Sequence, residues 1–135
     1  MKSRIEPIAS LSDTMSVAEM TSGMGYPPDF SLAKGAVPEG ALARIPAKWS
    51  SWELHEEAGS LADAVTALFR RLHPDRDKLR QLRDRGCSAS LSVTQWMEPE
   101  TNLGFVIEAE DVQLLADAGA FIDVDQYADE GQGPS

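Results

Sequence analysis

The strongest hydrophobic pattern in the chain predicts an amphipathic helix from Ser60 to about Leu72. Six small or apolar residues fall on one stripe at the i, i+3, i+4 spacing of a helix that buries one face: Leu61, Ala64, Val65, Leu68, Phe69 and Leu72. Ser60 is placed to cap the first turn, and Asp63 complements the positive end of the helix dipole. Pro74 ends or kinks this helix, so we expect a second helical segment from about Asp75 to Arg85.

Two shorter helices are predicted on either side. Ser16 and Glu19 have the spacing of a capping box, and Gly25 follows the apolar repeat as a stop. A last helix is expected at 109–118, ending at Gly119, with its inward side formed by Val112, Leu114 and Leu115.

Alternation of apolar and polar residues predicts the strands. The clearest strand runs over 87–97, and the pattern resumes at 103–107 after a turn, which indicates an antiparallel hairpin. Further strands are expected at 49–55 and 120–127, with a short one near 41–45.

Together these elements predict an α+β fold with a mostly antiparallel sheet of about four to five strands and helices on one face. The pattern is also compatible with a ferredoxin-like arrangement. We expect a single domain over residues 1–127 and a flexible acidic tail at 128–135. The helix-to-sheet core is expected to contain Leu61, Val65, Leu68, Phe69, Leu91, Val93, Phe105, Leu115 and Val124.

Composition adds few constraints on function. The chain has 135 residues, of which 42% are hydrophobic and 25% charged, and no stretch approaches the length of a membrane helix. The first residues lack the apolar region of a secretory signal, so we expect a cytoplasmic protein. Cys87 is the one cysteine, which excludes an internal disulfide, and its place in an alternating apolar series predicts a buried, unreactive thiol.

Charge is distributed unevenly along the chain. The net charge is −10; every Lys and Arg lies at or before Arg85, whereas ten acids follow Gly86. Such a field disfavours nucleic acid and favours a basic protein partner, although an acidic surface can also serve solubility alone. The basic residues between 70 and 85 are interspersed with acids, which indicates a salt-bridged helix surface.

Candidate chemistry is sparse. His55 and His73 lack the companion ligands of a helical metal site, and His73 suits the end of a helix. Asp123 and Asp125 lie two residues apart and should share one face of the last strand, where they form either a solvated pair or an acid-base pair. No phosphate loop, nucleophile elbow or dinucleotide fingerprint is present, so we expect no cofactor and no metal.

The pattern that best suits binding is a set of aromatic and acidic side chains on the sheet face away from the helices. Its members are Trp49, Glu53, His55, Trp96, Asp123, Asp125 and Tyr127. The leading hypothesis is therefore a noncatalytic cytoplasmic partner-binding protein, with an immunity-type protein that covers a basic toxin as one form. The alternatives are a small enzyme or ligand-binding domain that uses Asp123 and Asp125 with His55, a structural or assembly subunit, and a merely solvated sheet face.

The order of motifs resembles a bacterial family known as domain of unknown function 4279, from about Ser10 to Tyr127. The resemblance rests on the helix from Ser16 to Gly25-Tyr-Pro27, the Lys34-Gly35 turn, Trp49, the helix start at Ser60-Leu61, and the closing segment Leu115-Ala-Asp-Ala-Gly119-Ala-Phe-Ile-Asp-Val-Asp-Gln-Tyr127. It implies no activity and no cofactor.

Overall fold

The computed structural model of the chain describes residues 3–12, 14–40, 44–97 and 104–128, and side chains within these ranges except at 3–12, 95–97 and 126–128. The strands are β1 (Ser3–Ser12), β2 (Phe30–Leu32), β3 (Ser50–Glu53), β4 (Glu56–Ala58), β5 (Ser88–Met97) and β6 (Ala120–Ala128). The helices are α1 (Val17–Met24), α2 (Leu61–Leu72), α3 (Arg76–Asp84) and α4 (Ala109–Asp117), and a single 3-10 turn (His73–Asp75) joins α2 to α3.

The six strands form one sheet in the order β2-β3-β1-β5-β6, with β4 beside the first part of β1. Strand β1 pairs antiparallel with β5 on one side and with β3 and β4 in turn on the other. Strand β6 pairs parallel with β5, from Ala89 beside Ala120 to Met97 beside Ala128. A parallel pair needs a crossover between its strands, and α4 lies in that crossover.

The predicted fold class is wrong in its sheet. The sheet has six strands rather than four to five, the β5–β6 pair is parallel, and residues 104–108 form no strand, so the hairpin expected at 103–107 is absent from the described residues. The ferredoxin-like arrangement is also wrong, because three strands separate α1 from α2 and only β5 separates α3 from α4. The short strand expected near 41–45 falls partly outside the described residues, and 44–45 form none.

The helices were predicted more successfully than the sheet. The Ser60 hydroxyl accepts a hydrogen bond from the Asp63 amide at 3.1 Å, as expected for the cap of α2. Ser16 and Glu19 form the predicted capping box on α1, and Gly25 ends that helix with a left-handed φ of 86°. Pro74 lies in the 3-10 turn between α2 and α3, where a missing amide hydrogen costs little.

One hydrophobic core lies between the helices and one face of the sheet. All six stripe residues of α2 are buried in it, together with Trp52, Leu54, Leu91 and Val93 from the sheet side. Two residues that were expected to face the core are not buried: Val124 is 43% exposed and Val112 is 51% exposed. Val124 lies on the outermost strand, and the buried residues of α4 are Leu114 and Leu115. Phe105 is partly buried against the core.

The basic residues of α3 pair with acids of their own helix, as their spacing indicated, and also with an acid of α4, which that spacing did not indicate. Arg76 and Arg80 both bind the Asp117 carboxylate on α4, with the Arg80 guanidinium 3.1 Å from it. Arg80 also lies 3.6 Å from Asp77. These bonds attach α3 to α4 and occupy much of the charge that could otherwise bind an anion.

Cys87 is buried, as predicted. Its Sγ lies 3.2 Å from the Met15 Sδ, and burial raises the pKa of the thiol. The raised pKa reduces the fraction of reactive thiolate at neutral pH. We expect a disulfide reagent added to the native protein to label Cys87 only slowly, at a rate set by unfolding, and to label it fully in denaturant. Rapid stoichiometric labelling of the native chain would contradict this.

Candidate functional site

Four of the five described residues of the predicted binding face, Glu53, His55, Asp123 and Asp125, lie in two separate groups. The first group lies where β2 meets β3. Phe30 is paired with Glu53 across the two strands, and its ring stacks on the His55 ring with centroids 6.1 Å apart. The His55 Nε2 lies 2.7 Å from the Glu53 carboxylate. We call Phe30, Glu53 and His55 the β3 cluster.

The backbone around His55 is held by an acidic and a basic side chain from other elements. The Asp29 carboxylate accepts a hydrogen bond from the His55 amide at 2.9 Å and another from the Arg71 guanidinium at 3.1 Å. Arg71 also donates to the His55 carbonyl and to Glu56, at 3.3 Å each. The pKa of Asp29 is lowered, chiefly by the amide hydrogen bond from His55; burial opposes this effect, and the neighbouring Arg71 guanidinium adds to it. This network ties the β3 cluster to α2.

The Asp29 network predicts a specific dependence of stability on pH. Because the pKa of Asp29 is lower in the folded chain than in the unfolded chain, its contribution is present above the unfolded pKa of about 4 and is lost as pH falls through the lower folded value. Asp29→Asn should therefore reduce the urea midpoint at pH 7 more than at pH 3. The exposed Asp77→Asn is the matched control. An equal loss at both pH values would show that the charge of Asp29 does not matter.

The second group lies on β6, at the edge of the sheet. Phe121 is 57% exposed, Ile122 46% and Val124 43%, and Asp123 and Asp125 on the same strand are also exposed. Of the described strands only β5 pairs with β6, so no described strand lies on the other side of β6. We call residues 120–128 the β6 edge.

The ladder register separates the two groups. Glu53 pairs with Ala9, Ala9 with Ser90, and Ser90 with Phe121, so the β3 cluster and the β6 edge lie three strand spacings apart. Neighbouring strands are about 4.8 Å apart, which places Glu53 about 14 Å from Phe121. The structure therefore does not bring His55 together with Asp123 and Asp125, and an acid-base site that combines them has no geometric basis.

The remaining predicted residues have different outcomes. Trp49 precedes β3 and is 47% exposed. Trp96 and Tyr127 are register partners in the β5–β6 ladder, and their side chains lie outside the described residues. The face is less open than predicted near its centre, since Ser51 and Ser90 are buried.

Other features of the described residues offer no competing site. They contain no group of three or more His, Cys, Asp or Glu residues suited to a metal ion, and none of their helices is long and apolar enough to cross a membrane. A shallow cavity of about 340 Å³ is lined in part by Ser16, Glu19 and Ser50. The polar groups of Ser16 and Glu19 are bonded to each other in the capping box, and Ser50 Oγ accepts the Lys34 amide at 3.1 Å.

Sequence reasoning missed the exposed aromatic and aliphatic side chains. The sequence analysis gives no role to Phe30, Phe121 or Ile122, and it places Val124 in the core, whereas Val124 is 43% exposed. Their exposure depends on β2 and β6 being the outer strands of the sheet, which no local pattern in the sequence reports.

Comparison with known proteins identifies the family. The model of the family described as domain of unknown function (DUF4279) matches residues 8–129. The chain belongs to this family. The match to DUF4279 extends from β1 through β6 and so includes both the β3 cluster and the β6 edge, and its description names no activity. No curated protein and no solved structure matches the chain.

Proposed function

We propose that this member of the DUF4279 family is a noncatalytic cytoplasmic protein that binds a basic protein partner, and that the β6 edge is the binding element. The observation that carries the proposal is the exposure of three apolar side chains and two carboxylates along residues 121–125 of an outer strand. Natural proteins usually shield their edge strands, so an outer strand that exposes several large apolar side chains is a candidate interaction site.

Charge supports a basic partner. All ten acids after Gly86 belong to a part of the chain with no Lys or Arg, and Asp123 and Asp125 place two of them in the exposed strand itself. The basic residues of α3, in contrast, are paired with acids such as Asp117. A cationic surface would therefore be steered toward the β6 edge, and salt would slow that association.

The proposal can be tested by comparing captured proteins between charge variants. The tagged chain, an Asp123→Asn/Asp125→Asn variant and an Asp77→Asn/Asp84→Asn variant would each be used for affinity capture from the native cell with quantitative mass spectrometry. We expect one basic protein to be enriched by the wild type and by the α3 variant, and depleted at least about threefold by the β6 variant. Equal recovery by all three would remove the β6 edge from the interface.

An immunity-type role is the specific form of this proposal that predicts a phenotype. If the captured protein is a basic toxin, co-expression of the chain should restore growth, and the β6 variant should restore it less well than the α3 variant. A captured protein that is harmless on expression would rule out the immunity-type role and leave partner binding in place.

A further inference from the structure

The β6 edge has the form of a template for another strand. It is nine residues long, pairs only with β5 among the described strands, and presents exposed side chains on both faces. The register with β5 puts Ile122 and Val124 on the same face as the buried Leu91 and Val93, and Phe121, Asp123 and Asp125 on the other. An added strand would thus extend the apolar face on one side and meet two carboxylates on the other.

A second copy of this chain fits that template poorly. If two β6 strands paired antiparallel over their full length, the pairing would centre on Val124, the middle residue of the strand. Asp123 of each copy would then lie directly opposite Asp125 of the other. Like charges at opposed positions destabilise a strand pair, and two such pairs would form. The net charge of −10 on each copy adds a long-range repulsion.

An extended cationic segment fits it well. We propose that the β6 edge binds a partner segment as an added strand, with Lys or Arg opposite Asp123 and Asp125 and apolar residues opposite Ile122 and Val124. Opposed residues in a ladder share a face, so the required pattern is alternation of basic and apolar residues, whichever way the segment runs. Backbone hydrogen bonds to the free edge supply affinity, and the alternating side chains supply specificity. This inference rests on the proposed function, because it names the class of partner segment.

Synthetic peptides test the pattern directly with the full chain. The probe is a short fluorescent peptide that alternates Lys and Val. One control has the same composition with Lys and Val in separate blocks, and another is the alternating peptide N-methylated at alternate residues, prepared in both registers. Anisotropy titrations at low salt should give the tightest binding for the alternating peptide. The block peptide and at least one N-methylated peptide should bind at least about tenfold more weakly. The block peptide lacks the alternating side chains, and the N-methylated peptide lacks the backbone donors that would pair with β6.

Protein variants locate the binding. Asp123→Asn/Asp125→Asn should weaken binding of the alternating peptide about three- to tenfold, as expected for two opposed charge pairs, whereas Asp77→Asn/Asp84→Asn should change it less than twofold. Both variants remove the same charge from exposed positions, so circular dichroism should show equal folding. In the wild type, backbone amide shifts on peptide addition should concentrate at residues 120–128.

Three results would overturn the inference. Equal affinity for the block and alternating peptides, or for all N-methylated peptides, would mean that charge alone attracts the probe. A concentration-dependent dimer that excludes the peptide would identify a second copy as the occupant. A basic partner whose capture depends on Asp123 and Asp125, but which leaves the backbone amides of residues 120–128 unprotected from hydrogen exchange, would leave the proposed function standing while removing strand addition.

Discussion

Truncating Leu68 to alanine is expected to lower the free energy of unfolding by about 2 to 5 kcal/mol. Leu68 has no exposed surface and lies at the centre of the stripe by which α2 covers the sheet. Its truncation removes buried methyl groups and leaves a cavity lined by well-packed neighbours, which cannot fully collapse around it. The measurement is the urea or guanidinium unfolding transition at neutral pH.

A control on the same helix separates packing from helix propensity. Thr66 is exposed on α2, so Thr66→Ala should change stability by no more than about 0.5 kcal/mol. A loss for Leu68→Ala as small as that would place Leu68 outside the core and contradict the packing of α2 on the sheet.

The helices could be predicted from the sequence because their determinants lie within a few residues of one another. Ser60 and Asp63 cap α2 through one local hydrogen bond, and Ser16 and Glu19 close the capping box of α1 in the same way. The apolar stripe of α2 repeats within the helix itself. None of these features depends on which strand lies next to which.

The sheet could not be predicted because its pairing is set by contacts between distant parts of the chain. Strand β1 contains Pro7, and a proline normally argues against a central strand. Here the register of β1 against β5 shifts between Glu6 and Ala9, so Pro7 lies at an irregularity where a ladder hydrogen bond is not required. Alternation in β5 and β6 shows which side chains share a face of the sheet, but it does not show how the two strands run relative to each other. They run parallel because α4 crosses between them.

The candidate site could be predicted only in part, because its residues lie on strands whose order the local sequence pattern does not show. Alternation correctly placed Asp123 and Asp125 on an exposed strand face. It could not show that β6 ends the sheet, and therefore it assigned Val124 to the core. It also grouped Glu53 and His55 with the aspartates, whereas two strands, β1 and β5, lie between β3 and β6. The chemistry of each side chain follows from the local sequence, but the strand order determines which side chains lie close enough to act together.

Replacing Trp52 with alanine is expected to cost about 3 to 5 kcal/mol of stability. The Trp52 side chain is 1% exposed, its Nε1–H donates to the Thr21 hydroxyl at 3.1 Å, and its ring contacts the Tyr26 ring with centroids 5.8 Å apart. Trp52 thus joins β3 to α1 and to the segment that follows it. Alanine would remove the ring contacts, leave a large cavity and deprive the Thr21 hydroxyl of its partner.

Two further variants make this prediction specific. Trp52→Phe keeps most of the apolar surface but lacks the N–H donor, so it should cost less than Trp52→Ala, with about 1 kcal/mol from the lost hydrogen bond to Thr21. Trp49 lies three residues earlier but is 47% exposed, so Trp49→Ala should change stability by no more than about 0.5 kcal/mol. Because Trp49 belongs to the predicted binding face, that variant can be carried into the partner-capture experiment as a folded protein. Equal losses for Trp49→Ala and Trp52→Ala would contradict the burial of Trp52 and the exposure of Trp49.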